Sequence, residues 1–218
     1  MSQKQSKNSP VLSPDEQTQY FIVALPRSGT AWLANFLTWG NSFCFHEALY
    51  GCESLERLDE IFVETGAKYA GGAETAVASL LPAVYARFPN AKYIFVLRDI
   101  EDIFASLNRL QIPHEQVQNM VLPFWWGIDN VHNALTVHFK SLFLSTTMRD
   151  IWEYIGIDQP FPFKRFELLR NMHVEDGFSS GYGRFTDPDL IRENTAIFTK
   201  LCATLKRHSY PKAEIHVA

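Results

Sequence analysis

Two apolar runs, Tyr20–Leu25 unbroken and Ala91–Leu97 broken only by Lys92, interrupt an otherwise mixed chain. Each reads as a strand buried on both faces, the kind found in parallel sheets. Each ends in a short polar turn, and helical spacing follows at once. After the first run, Pro26 stops the strand and Arg27, Ser28, Gly29 and Thr30 form the turn. From Ala31 onward Trp32, Leu33, Phe36 and Leu37 recur on one side, and Trp39-Gly40-Asn41 ends that helix. After the second run come Arg98 and Asp99, then a helix over 101–110 with Ile103, Phe104 and Leu107 inward.

The remaining pattern completes an α/β layout. Ser42–Phe45 is a short apolar strand that delivers His46 and Glu47 at its C-terminal end. Residues 54–64 place Leu55, Leu58, Ile61 and Phe62 at helical spacing. Residues 67–72 form a weaker strand ending at Gly71-Gly72. A helical stretch over 75–88 follows, which Pro82 either kinks or restarts. Residues 111–133 have no clear period; they carry Phe124, Trp125 and Trp126 in a row beside Pro123 and Gly127, a cluster that belongs either to the core or to an apolar pocket wall. A last strand is expected over 134–139, and helices over 147–155, 163–172 and 187–205. The Gly- and Ser-rich stretch 175–186 reads as a mobile loop able to close over a ligand. Residues 1–18 are expected to be a flexible tail and 19–218 a single domain.

Composition narrows the class. The chain has 218 residues, enough for one α/β domain, and a net charge of −4 with no basic stripe. A general nucleic-acid binder is therefore not expected, and any anion site must be made by a few placed residues. Cys44, Cys52 and Cys202 are an odd count without metal-ligand spacing, and the seven His never pair as in HExxH. No metal site, membrane span or signal peptide is expected, and a reducing, cytoplasmic setting is the simpler reading.

Strand, small-residue turn, helix is the arrangement that aims unpaired backbone N–H groups at an anion. Gly29 allows close approach, Ser28 and Thr30 add hydroxyls, and Arg27 adds charge. The alternative is an ordinary turn capped by Ser28 or Thr30. Glu47 lies at a strand's C-terminal end, where ligands of open parallel sheets sit; alternatively it begins the next helix. Arg98 and Ser106 could grip a second anion, or Arg98 could pair with Asp99 or Glu101.

PRSGTAWL at 26–33 and FVLRDIEDIFASL at 95–107, in that order and about 70 residues apart, together resemble the sulfotransferases that use 3′-phosphoadenosine-5′-phosphosulfate (PAPS). The resemblance is closest over 20–107. It implies a central parallel sheet flanked by helices, a three-layer sandwich like that of P-loop nucleotide hydrolases. It implies PAPS as sulfuryl donor, 3′-phosphoadenosine 5′-phosphate (PAP) as product, no metal, and a small-molecule or carbohydrate hydroxyl acceptor. By it, Arg27 stands next to the sulfuryl group. Ser28, Gly29, Thr30 and Ala31, with Trp32 closing the motif, match the 5′-phosphate loop, and Arg98 and Ser106 match the 3′-phosphate pair. The general base falls to Glu47 first, His46 second and His114 third. Three departures from the family's pattern stand out: Ala31 for a usual Thr, Ile100 for a usual Pro, and no C-terminal Arg-Lys-Gly loop, for which Gly183-Arg184 is a weak substitute. Two other readings stay open. A P-loop kinase would need GxxxxGK[ST], which PRSGTAW lacks. A binding protein that keeps this fold without catalysis would have little need of both Arg27 and Glu47.

Overall fold

The computed structural model describes residues 16–112 and 114–170. The expectations for the N-terminal tail before residue 16, the 175–186 loop, the 187–205 helix, Gly183-Arg184 and Cys202 lie outside them. Five strands form one sheet: β1 (Thr18–Ala24), β2 (Ser42–His46), β3 (Tyr69–Glu74), β4 (Lys92–Leu97) and β5 (Leu135–His138). Their order is β2-β3-β1-β4-β5, and every neighbouring pair is parallel. Seven α-helices accompany them among the described residues: α1 (Thr30–Leu37), α2 (Leu55–Glu64), α3 (Ala76–Arg87), α4 (Ile100–Arg109), α5 (Glu115–Asn130), α6 (Ser145–Ile155) and α7 (Phe163–Leu169).

Alternation along β1 sorts the helices into two layers. Phe21, Val23 and Leu25 face a core built with α2, α3, α4 and α5. Tyr20, Ile22 and Ala24 face a second core built with α1, α6 and α7. The chain crosses the sheet in one direction through α2 to α5 and in the other through α1. Right-handed crossovers require those two sets on opposite faces. The expected three-layer α/β sandwich is therefore present, with a fully parallel sheet at its centre.

Three elements depart from their expected form. β3 runs on past the glycines to Glu74 and is buried along its whole length. Gly71 is needed there because a Cβ would lie 2.3 Å from the Tyr20 carbonyl oxygen and against its ring. Of the two expectations for Pro82, a restart is not seen, because α3 is continuous through it. Residues 115–130, left without a period by Pro123 and Gly127, form one sixteen-residue helix. Gly127 lies against Leu81 and Phe95 so closely that a Cβ would lie 1.9 Å from Leu81 Cδ2. That close approach joins α3 and α5 to β4. The aromatic row splits: Phe124 is in the core with its ring 5.7 Å from that of Phe95, while Trp125 and Trp126 are 50% and 36% exposed. At the other end of the chain, β1 begins at Thr18, and the Gln17 amide before it donates to the carbonyls of Phe62 and Ala67 at 2.9 Å.

β1 and β4 are neighbours, yet the chain leaves β1 toward β2 and leaves β4 toward β5. The connections after these two strands run in opposite directions along the sheet. Open α/β sheets bind ligands at this switch in strand order.

Candidate active site

The C-terminal edge carries, strand by strand, residues of the two motifs together with residues outside them. Glu47 follows β2, Thr75 follows β3, Arg27 to Thr30 follow β1, Arg98 follows β4, and Phe139 follows β5.

The β1 turn leaves the sheet through two left-handed residues, Arg27 (φ 67°) and Gly29 (φ 85°). Gly29 is the N-cap of α1 without a side-chain cap bond. Its conformation suits glycine, and a Cβ there would meet the Phe139 ring at 3.2 Å. No acidic side chain occupies the first turn of α1. The N–H groups of that turn therefore point outward with the positive end of the helix dipole behind them. Ser28 is fully buried, and its hydroxyl has no hydrogen-bond partner among the described residues. Trp32 joins this site only through its backbone. Its indole is 3% exposed and donates to the Leu169 carbonyl at 2.7 Å.

The two motif turns interlock. Arg27 Nε donates to Ser106 Oγ at 3.2 Å, and Arg98 Nη1 donates to the Arg27 carbonyl. The Arg98 guanidinium also lies over the Phe139 ring, 4.2 Å from its centre. Ser106, one turn into α4 from the helix start, is 4% exposed and also receives Arg109 Nη2 at 3.5 Å. Arg98 and Ser106, expected as a pair, are thus joined through Arg27. Neither Asp99 nor Glu101 is bonded to Arg98 in the described contacts; Asp99 pairs instead with Lys140 at 3.2 Å.

On the other side of the β1 turn, Thr30 Oγ1 and His46 Nε2 are hydrogen-bonded at 3.2 Å. Burial pushes the His46 imidazole down to about 4, so it is neutral near pH 7. His46 Nε2 stands 3.8 Å from Glu47 Oε1. Glu47 sits in the left-handed region (φ 57°) and begins a short 3₁₀ turn, Ala48–Gly51. It does not serve that turn. Its carboxylate reaches across to the start of α3, accepting from Thr75 N at 3.0 Å, Thr75 Oγ1 at 2.8 Å and Ala76 N at 3.5 Å. Burial raises its pKa, and the Thr75 bonds pull the other way. His114 lies apart from these contacts: it precedes α5, stacks on Phe104 at 4.4 Å and bonds Asn108 Oδ1 at 2.7 Å.

The sequence reading missed Thr75, Glu74, Phe139 and Arg109. Thr75 and Glu74 were hidden by ending β3 at its glycines, although Glu-Thr directly before a helical stretch was the available signal. Phe139 carries no local mark, because its contacts are with a turn 110 residues earlier and with Arg98. Among the described residues no three His, Cys, Asp or Glu side chains are grouped so as to hold a metal ion, and no helix is long and apolar enough to cross a membrane.

No protein-family model matches this chain, and no curated protein matches it. Among solved structures, it is similar to mouse sulfotransferase SULT7A1 complexed with PAP. The identity is 16% and the TM-score 0.49, over 88% of this chain and 89% of that one.

Proposed function

We propose that this chain is a sulfotransferase that moves the sulfuryl group of PAPS to a hydroxyl acceptor. The observation that carries this reading is the interlock of the two motif turns at the sheet's switch point. Arg27 Nε lies on Ser106 Oγ at 3.2 Å and Arg98 on the Arg27 carbonyl, so the groups needed for two separate phosphates stand together. The donor set suits PAPS. An α1 N-terminus without acidic side chains and the buried, unpartnered Ser28 hydroxyl suit a 5′-phosphate. Arg98 and Ser106, with Arg109 beside them, suit a 3′-phosphate.

Bound PAPS would supply an activated sulfuryl group, whose bond to the phosphate oxygen breaks as one to the acceptor oxygen forms. Arg27 and the N–H groups of Gly29 to Trp32 stabilise charge developing on the phosphate side. Glu47 takes the acceptor's hydroxyl proton. Its place beside His46 and Thr30 puts a carboxylate next to the α1 turn, and burial raises its basicity. His46, neutral near pH 7, orients Thr30 and screens that carboxylate from water.

PAP release from PAPS, measured with phenolic and sugar hydroxyls as acceptors, tests the assignment. Glu47→Gln should lower turnover by about 10²-fold or more while PAP binding is unchanged. Turnover unaffected by Glu47→Gln would move the proton acceptor to His46. Release of no PAP by the wild-type chain with either acceptor class would count against sulfuryl transfer.

A further inference from the structure

Glu74 is outside both motifs, and its carboxylate is the partner image of Glu47. Glu47, after β2, caps the helix that follows β3. Glu74, the last residue of β3, caps the turn that follows β2: its Oε1 accepts from Ala48 N at 2.7 Å and its Oε2 from Leu49 N at 3.3 Å. The carboxylate lies over Gly72, where a Cβ would approach Oε1 to 2.5 Å, so the strand has left room for it. Two carboxyl groups, Glu74 fully buried and Glu47 largely so, are thereby tied by crossed caps.

We propose that this pair holds one proton at neutral pH and that Glu74 carries it, which makes Glu74 the positioning residue that keeps Glu47 ionised and aimed. The consequence for catalysis rests on the reading of Glu47 as proton acceptor; the protonation itself does not. Two buried anions side by side are costly without a cation. The titratable and charged groups about the pair, among the described residues, are His46 and Cys44 on β2, Cys52 beyond the turn, and Arg57 on α2. His46 is neutral near pH 7, burial holds both thiols in the neutral form, and Arg57 acts on Cys52 while bonded to Glu60 and Glu64. None of these neutralises a second carboxylate.

Geometry decides which oxygen pair keeps the charge. The Glu47 side chain is 18% exposed and receives two N–H groups and a hydroxyl at the start of a twelve-residue helix. Hydrogen bonds to the charged form and the helix dipole both favour carboxylate there. Glu74 is wholly buried and receives two N–H groups from a four-residue turn, one of them long. Burial and the neighbouring Glu47 charge push its pKa well up. Oε2, with the weaker contact, is the oxygen suited to the proton. A neutral Glu74 still accepts from Ala48 and so still fixes the left-handed turn that carries Glu47.

Infrared spectroscopy of the whole chain at neutral pH, in light and heavy water, tests this without any nucleotide. The wild type should show the carbonyl stretch of a buried protonated carboxyl, and Glu74→Gln should lose it. Absence of that band in the wild type would overturn the proposal. The side that carries the proton is read from thermal unfolding. Glutamine mimics a protonated carboxyl, so Glu74→Gln should unfold within a few degrees of wild type. Glu74→Ala should be clearly less stable, because it orphans the Ala48 and Leu49 N–H groups. Glu47→Gln should also be clearly less stable, because its amide would face the N–H donors of α3. The reverse pattern, with Glu47→Gln tolerated and Glu74→Gln disruptive, would equally overturn it. A separate failure to bind PAP would remove the donor reading and leave these results standing.

Discussion

The turn after β1 leaves the sheet through two left-handed residues into a helix whose first turn has no carboxylate. The turn after β4 leaves through Asp99 at φ −56°, ψ 130°, into a helix whose first turn carries Glu101 and Asp102. Both units are an apolar strand, an Arg-bearing turn and a helix. In the first, no acidic side chain opposes the helix dipole, and on the proposed reading a phosphate would be held by backbone N–H groups with a buried hydroxyl. In the second, the chain's own acids already answer the dipole, and Lys140 bridges Asp99 and Asp102 at 3.2 and 3.4 Å. That helix start is unsuited to a phosphate. On the proposed reading its contribution would come from side chains: Arg98 before the helix and Ser106 in its second turn. The same sequence logic thus yields two differently built turns, one offering backbone N–H groups and one offering side chains, and the acids in the first turn tell them apart.

The largest predicted effect separates the two. Arg98→Ala removes a charge-assisted contact of roughly 1.5–3 kcal/mol, so PAP binding should weaken by one to two decades. AMP, which lacks the 3′-phosphate, should lose much less, and only because Arg98 also bonds the Arg27 carbonyl. Equal losses for both ligands in calorimetric titration would strip Arg98 of its 3′ role.

Acid should reach the first unit selectively, because it is the unit tied to a buried imidazole. His46 is lowered from 6.5 to about 4, so its stability contribution is present above pH 6.5 and is lost as pH falls toward 4. A shift of that size corresponds to about 3 kcal/mol at most, softened because 23% of the side chain is exposed. Urea midpoints between pH 7 and 4 should fall for the wild type and fall less for His46→Gln. Parallel curves would deny His46 that part.

Gly29→Ala attacks the backbone site alone. A left-handed non-glycine residue costs about 1–2 kcal/mol, and the added Cβ meets Phe139 at 3.2 Å. The variant should lower the urea midpoint accordingly and weaken AMP and PAP alike. A loss confined to PAP would contradict the division of labour. The smallest effect belongs to Ser106→Ala: about a tenfold loss for PAP, matching one hydrogen bond near 1.5 kcal/mol, with AMP binding unchanged.

The parts of this arrangement that depend on near neighbours in the chain were legible in the sequence. The two buried strands, the Arg27–Thr30 turn, the start of α4 and the glycine end of α6 all follow from local apolar runs and turn residues. The parts that depend on contacts across the sheet were not. Trp32 reads as a motif residue, yet its indole is spent on the Leu169 carbonyl. Glu47 reads from the sequence as a residue of the sheet edge, but its partner Thr75 follows a strand that runs two residues, Ala73 and Glu74, beyond the end that local pattern predicts. In α5, Pro123 and Gly127 argued against a helix until packing on Leu81 and Phe95 outweighed their propensities. Tertiary contact, not local preference, decides each of these positions.

On the proposed reading the two turns together form one site for a nucleotide with a 3′-phosphate. Calorimetric titration with PAP, with ATP–Mg²⁺ as the parallel ligand, tests it most directly. Tight binding of PAP and little of ATP–Mg²⁺ is the predicted result. Preference for ATP–Mg²⁺ would contradict the account, return the chain to a nucleotide-kinase reading and leave Arg98 and Ser106 without their assigned ligand.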